Sequence, residues 1–330
     1  MDAAEVRNIT VGKSQGRLIM GRFLRNWVAM TSLGVFLAVI VLSVTSIGAF
    51  GIPGWWKWQY TDLIPLLNGG TPTLSLTPQW LGGAGIHLGE HPFGQTLIGI
   101  DYFSMTMRGI QNSLIVMFII GILCAVIGTV VGAVAGYYRG WVESLLMRFT
   151  DLVIIIPVIV LGAVVGKIAS EHFKGLGVLG LSLVLGLFLW TGLARLVRGE
   201  FLTLREREYV DAARVSGARD ARIMFRHILP NAVGVVIVST TLIMAAAILL
   251  ETGLSYLGFG IRSPDVSLGL IISQNQTAFS TRPYLFIWPG VFIVIIALTV
   301  NFIGDGLRDA FDPRQRKFVA RRMKEWETTK

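Results

Sequence analysis

Few residues of this sequence stand in spacings that could do chemistry. Gly12-Lys13-Ser14 matches the end of a phosphate-binding loop, in which backbone N–H groups and a lysine cradle a triphosphate. The full pattern needs a glycine five residues before Gly12, and Arg7 stands there. Gly175-Leu176-Gly177-Val178-Leu179-Gly180 spells a dinucleotide fingerprint. It opens an apolar run and no strand-to-helix turn, so small residues at a helix contact explain it better. The histidines His87, His91, His172 and His227 are dispersed without ligand spacing. No nucleophile stands beside a base, and Cys124 lies in an apolar run, where it reads as a small buried hydrophobe. The expectation is therefore no catalytic residue, no metal and no cofactor in this chain. Asp151 and Glu251 stand out for another reason. Each borders a long uncharged run, where a carboxylate costs desolvation unless it is paired or hydrated.

The elements around them read as membrane spans. The chain has 330 residues, 53 % hydrophobic and 15 % charged, whereas soluble domains carry about 25 % charged residues. That excludes a disordered chain, a disulfide scaffold and an ordinary cytosolic enzyme. Crossing the membrane takes about 20 apolar residues. The uncharged runs 28–56, 109–138, 152–166, 175–194, 228–250 and 283–304 predict six transmembrane helices, all-α and polytopic. The third is the shortest and contains Pro157, tolerable in lipid as a kink. It is long enough only if Asp151 sits at the boundary or Lys167 snorkels. The first follows Arg17, Arg22 and Arg25, as a signal peptide would. Signal cores run about 7–15 residues, and this one is longer and leads into Trp55, Trp56 and Trp58, which favours an uncleaved anchor.

Charge sets the expected orientation. With both termini cytoplasmic, 23 of the 29 Lys and Arg residues fall on the inside, as the positive-inside tendency requires. The net charge of +9 then needs no nucleic acid to explain it. The predicted organisation is a cytoplasmic N-tail over 1–26, a first span over 27–50, an extracytoplasmic loop over 51–108, a five-helix core over 109–309 and a cytoplasmic C-tail over 310–330. The outer loop is rich in Gly, Pro and Trp and too long for a plain connector.

Two features carry mechanism. Gly128, Gly132 and Gly136 form one helical face that lets a second helix approach closely. Between spans four and five, 206–216 reads as a short polar helix ending at Gly217, a C′ glycine. A second segment, 218–229, is amphipathic: Ala221, Met224, Phe225 and Ile228 share one stripe and Arg219, Arg222 and Arg226 lie opposite, with Pro230 as the stop. This helix–Gly–helix elbow, within 205–231, either lies in the headgroups or docks to a cytoplasmic partner.

The residues Tyr209-Val210-Asp211-Ala212-Ala213-Arg214-Val215-Ser216-Gly217, followed by His227-Ile228-Leu229-Pro230-Asn231, resemble the EAA loop of bacterial ABC-importer permeases. Asp211 stands for the usual Glu and His227 for Ile, the latter as in the dipeptide/oligopeptide branch. Gly136 to Trp141, Met147 to Asp151 with Pro157, Glu251 to Gly260 and Asn301 to Arg314 resemble the C-type subunit of that branch. His91-Pro92-Phe93-Gly94 resembles it too, but Gln95, Thr96 and Ile100 depart from the usual Thr, Asp and Arg.

The resemblance implies the type I ABC importer permease fold and a multi-pass place in the bacterial plasma membrane. It implies a non-catalytic subunit for import of dipeptides or oligopeptides. Its partners would be a sister permease, two ATP-binding domains that hold the ATP and Mg, an extracytoplasmic substrate-binding protein and membrane lipid. Nickel complexes, haem or another small solute are the alternative cargoes, and a self-sufficient secondary transporter is the alternative class. The residues implied in ATPase coupling are Asp211, Ala212, Ala213, Gly217, Arg222, Leu229 and Pro230. Asp151, Glu251 and Asn301 are candidates for gating or for bracing the bundle.

Overall fold

The computed structural model describes residues 15–49, 51–75, 80, 85, 87–164 and 177–312. The Gly12-Lys13-Ser14 triplet, His172 and most of the C-tail lie outside them.

Apolar runs fold into long helices because a helix satisfies every backbone polar group internally. Helix α1, Gln15–Arg25, precedes α2, Trp27–Ile47. A short hairpin pairs β1, Gly48–Ala49, with β2, Ile52–Pro53. Helix α3, Tyr102–Tyr138, spans 37 residues, about 55 Å at 1.5 Å per residue. Helices α4, Gly140–Ile155, and α5, Val158–Val164, are followed by α6, Gly177–Leu189, and α7, Thr191–Leu204. The elbow helix is α8, Glu208–Val215. Helix α9, Asp220–Arg222, continues through a π-helical stretch, Ile223–Ile228, into α10, Leu229–Tyr256. Then come α11, Leu268–Asn275, and α12, Tyr284–Phe311.

Among the described residues, five helical stretches are long and apolar enough to cross a membrane, and α4 with α5 make a sixth only as a broken pair bent by 72°. The third span is thus not a kinked helix but two pieces. Pro157 cannot donate a backbone hydrogen bond and disfavours helical geometry at Ile156, which is extended (φ −74°, ψ 117°).

Two other boundaries and the make-up of the N-tail differ from the sequence expectation. Helix α3 begins at Tyr102 and not near 109, because Asp101 caps it by accepting from the Ser104 N–H at 2.9 Å. The N-tail contains α1, which Arg22 ties to the far end of α12 by donating to the Ala310 and Asp312 carbonyls, both at 3.3 Å. Helix α12 runs two residues past 309, to Phe311.

Helix α3 is the axis of the bundle, and three apolar clusters lie along it. The first joins its hairpin end to α11 and α12 through Tyr102, Met107, Leu268 and Ile296. The second joins its middle to α6 and α10 through Ile120, Cys124, Leu185 and Ala247. The third joins its other end to α7 and the elbow through Ala133, Val197, Val210 and Ile228. In α12, Pro289 leaves the Leu285 carbonyl without its helical partner. The buried Tyr102 hydroxyl donates to that carbonyl.

The loop before α3 is a built cap. His91 and Asp101 are fully buried. His91 Nδ1 donates to Asp101 Oδ1 at 2.7 Å, and Trp56 Nε1 donates to Oδ2 at 2.9 Å. Two of the residues that depart from the resemblance, Gln95 and Thr96, have structural uses here. Gln95 accepts from the Leu67 N–H at 2.8 Å and donates to the Pro65 carbonyl at 3.2 Å, so it pins the loop before it. Thr96 Oγ1 accepts from the Ile100 N–H at 3.0 Å. On the exposed rim, Lys57 donates to Glu90 at 2.8 Å and holds that carboxyl below its usual range.

Candidate functional site

The elbow lies at the end of the bundle opposite the hairpin. Arg207 is extended and starts α8. Glu208 and Asp211 occupy its first turn and Arg214 its last, the charge order that a helix dipole favours. Arg214 reaches back to Asp211 at 3.1 Å, the Asp211 side chain largely exposed and that of Arg214 about one-third exposed. The C-terminus closes by two bonds: Gly217 N–H to the Arg214 carbonyl at 2.9 Å, and Ala218 N–H to the Ala213 carbonyl at 3.1 Å. This is a Schellman turn, and Gly217 takes the left-handed conformation it requires (φ +73°).

Burial divides the elbow into an anchored face and a free one. Val210 is fully buried with Ile223, Met224 and Ile228 against Ala133 and Tyr137 of α3. Asp211, Ala212 and Gly217 are exposed and Ala213 is half-buried. Val215 is 91 % exposed, a β-branched apolar side chain at the tip. Burial also holds the Tyr209 hydroxyl above its ordinary pKa.

The second segment differs from its sequence reading. Its buried stripe is Ile223, Met224 and Ile228, while Ala221 and Phe225 are exposed. The cause is its π winding, which shifts the side-chain period from 3.6 residues. Nor does Pro230 stop the segment, for one rod runs through Asp220–Tyr256. A proline in an α-helix clashes with the carbonyl four residues back. Here the wider π-turn, closed by Leu229 N–H to the Met224 carbonyl, carries the chain past Pro230. Arg222 and Pro230 are exposed and Leu229 is half-buried. Pro230 lines a cavity of about 840 Å³ with Phe23 of α1, Gly234 and Ile237 of α10, and Leu307 and Phe311 of α12.

Three residues that the sequence reading did not single out complete the elbow. Tyr137 donates from its hydroxyl to Asp220 Oδ1 at 2.8 Å, and Arg205 donates to the Tyr137 carbonyl. No local spacing relates 137 to 205 or 220, so only the fold brings them together.

The glycine face of α3 meets α7. A Cβ at Gly128 would lie 3.0 Å from the Trp190 carbonyl, one at Gly132 2.5 Å from the Ala194 carbonyl, and one at Gly136 2.8 Å from the Arg198 carbonyl. Helix α4 is held to α7 by ion pairs: Asp151 with Arg195 at 2.5 Å, and Glu143 with Arg198. Among the described residues, Asn301 donates only to the Ala297 carbonyl of its own helix, at 3.0 Å.

Glu251 lies within α10, five residues before its last residue, Tyr256. It is fully buried. It accepts from Ser113 of α3 at 2.9 Å and from Ser255 at 2.7 Å, with Ser267 a third hydroxyl partner. Ser255 Oγ in turn accepts from the Ile261 N–H at 3.1 Å. The carboxylate thus joins α3, α10 and the turn into α11. Among the described residues no group of His, Cys, Asp or Glu could hold a metal ion.

The model of the family described as binding-protein-dependent transport system inner membrane component matches residues 128–317, from the glycine face through the elbow and α12. The chain belongs to this family. It is a multi-pass inner-membrane permease subunit of an ABC importer. It is 35 % identical to the oligopeptide transport system permease protein OppC of Mycobacterium tuberculosis and of Mycobacterium bovis, over 92 % of this chain and 96 % of each relative. Among solved structures, it resembles a chain of the MetNI methionine ABC transporter in an inward-facing conformation. That likeness has a TM-score of 0.52 at 20 % identity, over 63 % of this chain and 96 % of that one. It shows the fold, that of a type I ABC importer permease. The family match also covers both halves of the elbow, so the elbow belongs to the shared part of this permease.

Proposed function

We propose that this permease forms a translocation pathway with a sister permease and imports dipeptides or oligopeptides, driven by ATP that partner subunits hydrolyse. The relatives named as oligopeptide permeases support the cargo class; haem, nickel complexes or another small solute are the alternatives. Two ATP-binding domains hold the ATP and Mg, an extracytoplasmic binding protein delivers cargo, lipid surrounds the bundle, and nucleic acid has no part. Both termini face the cytoplasm, as does the elbow.

The elbow carries the coupling reading. A short helix with a rigid Schellman end presents Ala212 and Val215 outward while Val210 anchors it on α3. Small residues at its surface let it sit deep in a partner's groove. When the ATP-binding pair closes, the grooves move, and the elbow carries that displacement into α3 and α10. Because ATP and cargo bind the inward- and outward-facing states unequally, the result is a population shift. A secondary carrier would need a coupling carboxylate within reach of its pathway, and Glu251 is packed among serines instead.

Gly217→Val tests the reading in the full complex reconstituted in proteoliposomes. The variant inserts and assembles but loses ATP-driven uptake and holds the ATPases less tightly. Parental uptake with the ATPases retained would refute it.

A further inference from the structure

We infer that Tyr137 is the pin that carries elbow motion into the bundle, a positioning residue that acts through Asp220; this rests on the coupling reading above. Tyr137 is the penultimate residue of α3 and is 5 % exposed. Three segments of the elbow converge on it. Arg205, just after α7, places its guanidinium 5.6 Å from the ring centroid and donates to the Tyr137 carbonyl. Arg214 of α8 lies 5.9 Å from the same centroid. Asp220, first residue of the rod that becomes α10, accepts from the hydroxyl at 2.8 Å. One side chain therefore touches the entry to the elbow, the elbow helix and its exit, and belongs to the helix on which the whole bundle packs. A further pair, Arg139 with Glu206 at 2.8 Å, ties the end of α3 to the same loop.

The chemistry separates a pin from packing. The apolar patch beneath the elbow, Val210, Ile223, Met224 and Ile228, is non-directional and tolerates sliding. A hydroxyl donating to a carboxylate is charge-assisted and directional. It fixes the distance between α3 and the rod, so a push on α8 reaches α3 and is not lost as slack. Tyr138 beside it is 47 % exposed and meets Tyr137 only edge-on, at 5.2 Å, so it serves as the control.

The test uses the full complex, with sister permease, ATPases and binding protein, and reads the increase in ATP hydrolysis when binding protein is added with the ligand it retains on purification. That increase must travel through the permease whatever the cargo is. Tyr137→Phe assembles, keeps the basal ATPase rate and loses about fivefold or more of the increase, the scale of a coupling between sites. Asp220→Ala gives the same loss. Asp220→Asn, which keeps an acceptor oxygen, restores the increase, and Tyr138→Phe leaves it unchanged. If Tyr137→Phe fails to assemble, Asp220→Ala on the exposed side of the pair decides. A parental increase in Asp220→Ala and in any Tyr137→Phe complex that assembles overturns the pin. Gly217→Val distinguishes the two levels: if it alone loses the increase, the pin fails and the elbow reading stands, and if it too keeps the increase, the elbow reading itself fails.

Discussion

Gly217 and Glu251 show how differently two residues can be read. Gly217 was legible because a C-terminal glycine is a local signal: a polar helix, then a residue that must turn left-handed. A side chain there meets open space, so any cost comes from the backbone alone. Asparagine visits the left-handed region with little penalty, while a β-branched residue does not. Gly217→Asn should therefore keep most of the parental uptake and Gly217→Val should not, and equal uptake by the two would remove backbone strain from the account. Glu251 was legible only as a carboxylate beside an apolar run. Its partners Ser113, Ser255 and Ser267 come from three segments, which no sequence spacing joins. Removing the acceptor leaves buried hydroxyls unpaired, at about 1–3 kcal/mol each. Glu251→Ala should lower the thermal midpoint of the purified permease clearly. Asp62→Asn, on an exposed turn where Asp62 accepts from the Gln59 N–H, should hardly change it. Glu251→Gln should impair uptake more than Asp62→Asn does.

Among the elements, the long helices follow from hydropathy alone, since uninterrupted apolar runs have no other stable form in lipid. The breaks were harder to place. Pro157 read as a kink yet separates two helices, whereas Pro230 read as a stop yet lies within a continuous rod. Pro289 sits inside α12 without ending it. The difference is whether the neighbourhood makes up for the lost hydrogen bond: a π-turn at Pro230 and the Tyr102 hydroxyl at Pro289. Tyr102→Phe should then destabilise the permease by about 1–3 kcal/mol, measured as a loss of folded protein on heating; an unchanged midpoint would mean the Leu285 carbonyl finds another donor. The glycine face on α3 was legible as a close-contact surface, but its partner, α7, was not. Gly132→Leu places a side chain against the Ala194 carbonyl and should cost about 1–3 kcal/mol by overpacking, seen as reduced yield of folded permease; parental yield would show that α3 and α7 can separate freely.

At the scale of the whole molecule, the basic charges cluster at the elbow end and both tails, and the bundle's two ends differ in kind. One carries a built cap around His91 and Asp101, the other a protruding elbow. Reporter fusions after Arg148 and Arg214 should read cytoplasmic and fusions near Asn68 and Ser273 extracytoplasmic; the reverse at Arg214 would remove the elbow from the ATPases. The helical architecture was legible because it rests on composition summed over many residues. The junction at Tyr137 was not, because it rests on one fold-dependent meeting of distant side chains. The central claim is that this permease moves peptides only when partner subunits hydrolyse ATP. Its most direct test is uptake of a labelled alanine tripeptide into proteoliposomes holding the permease, its sister, the ATPases and the binding protein. The account predicts uptake that requires ATP and all four components. It would be contradicted by uptake that persists without the ATPases under an ion gradient, or by no ATP-driven uptake of the tripeptide in a complex whose ATPase responds to the binding protein.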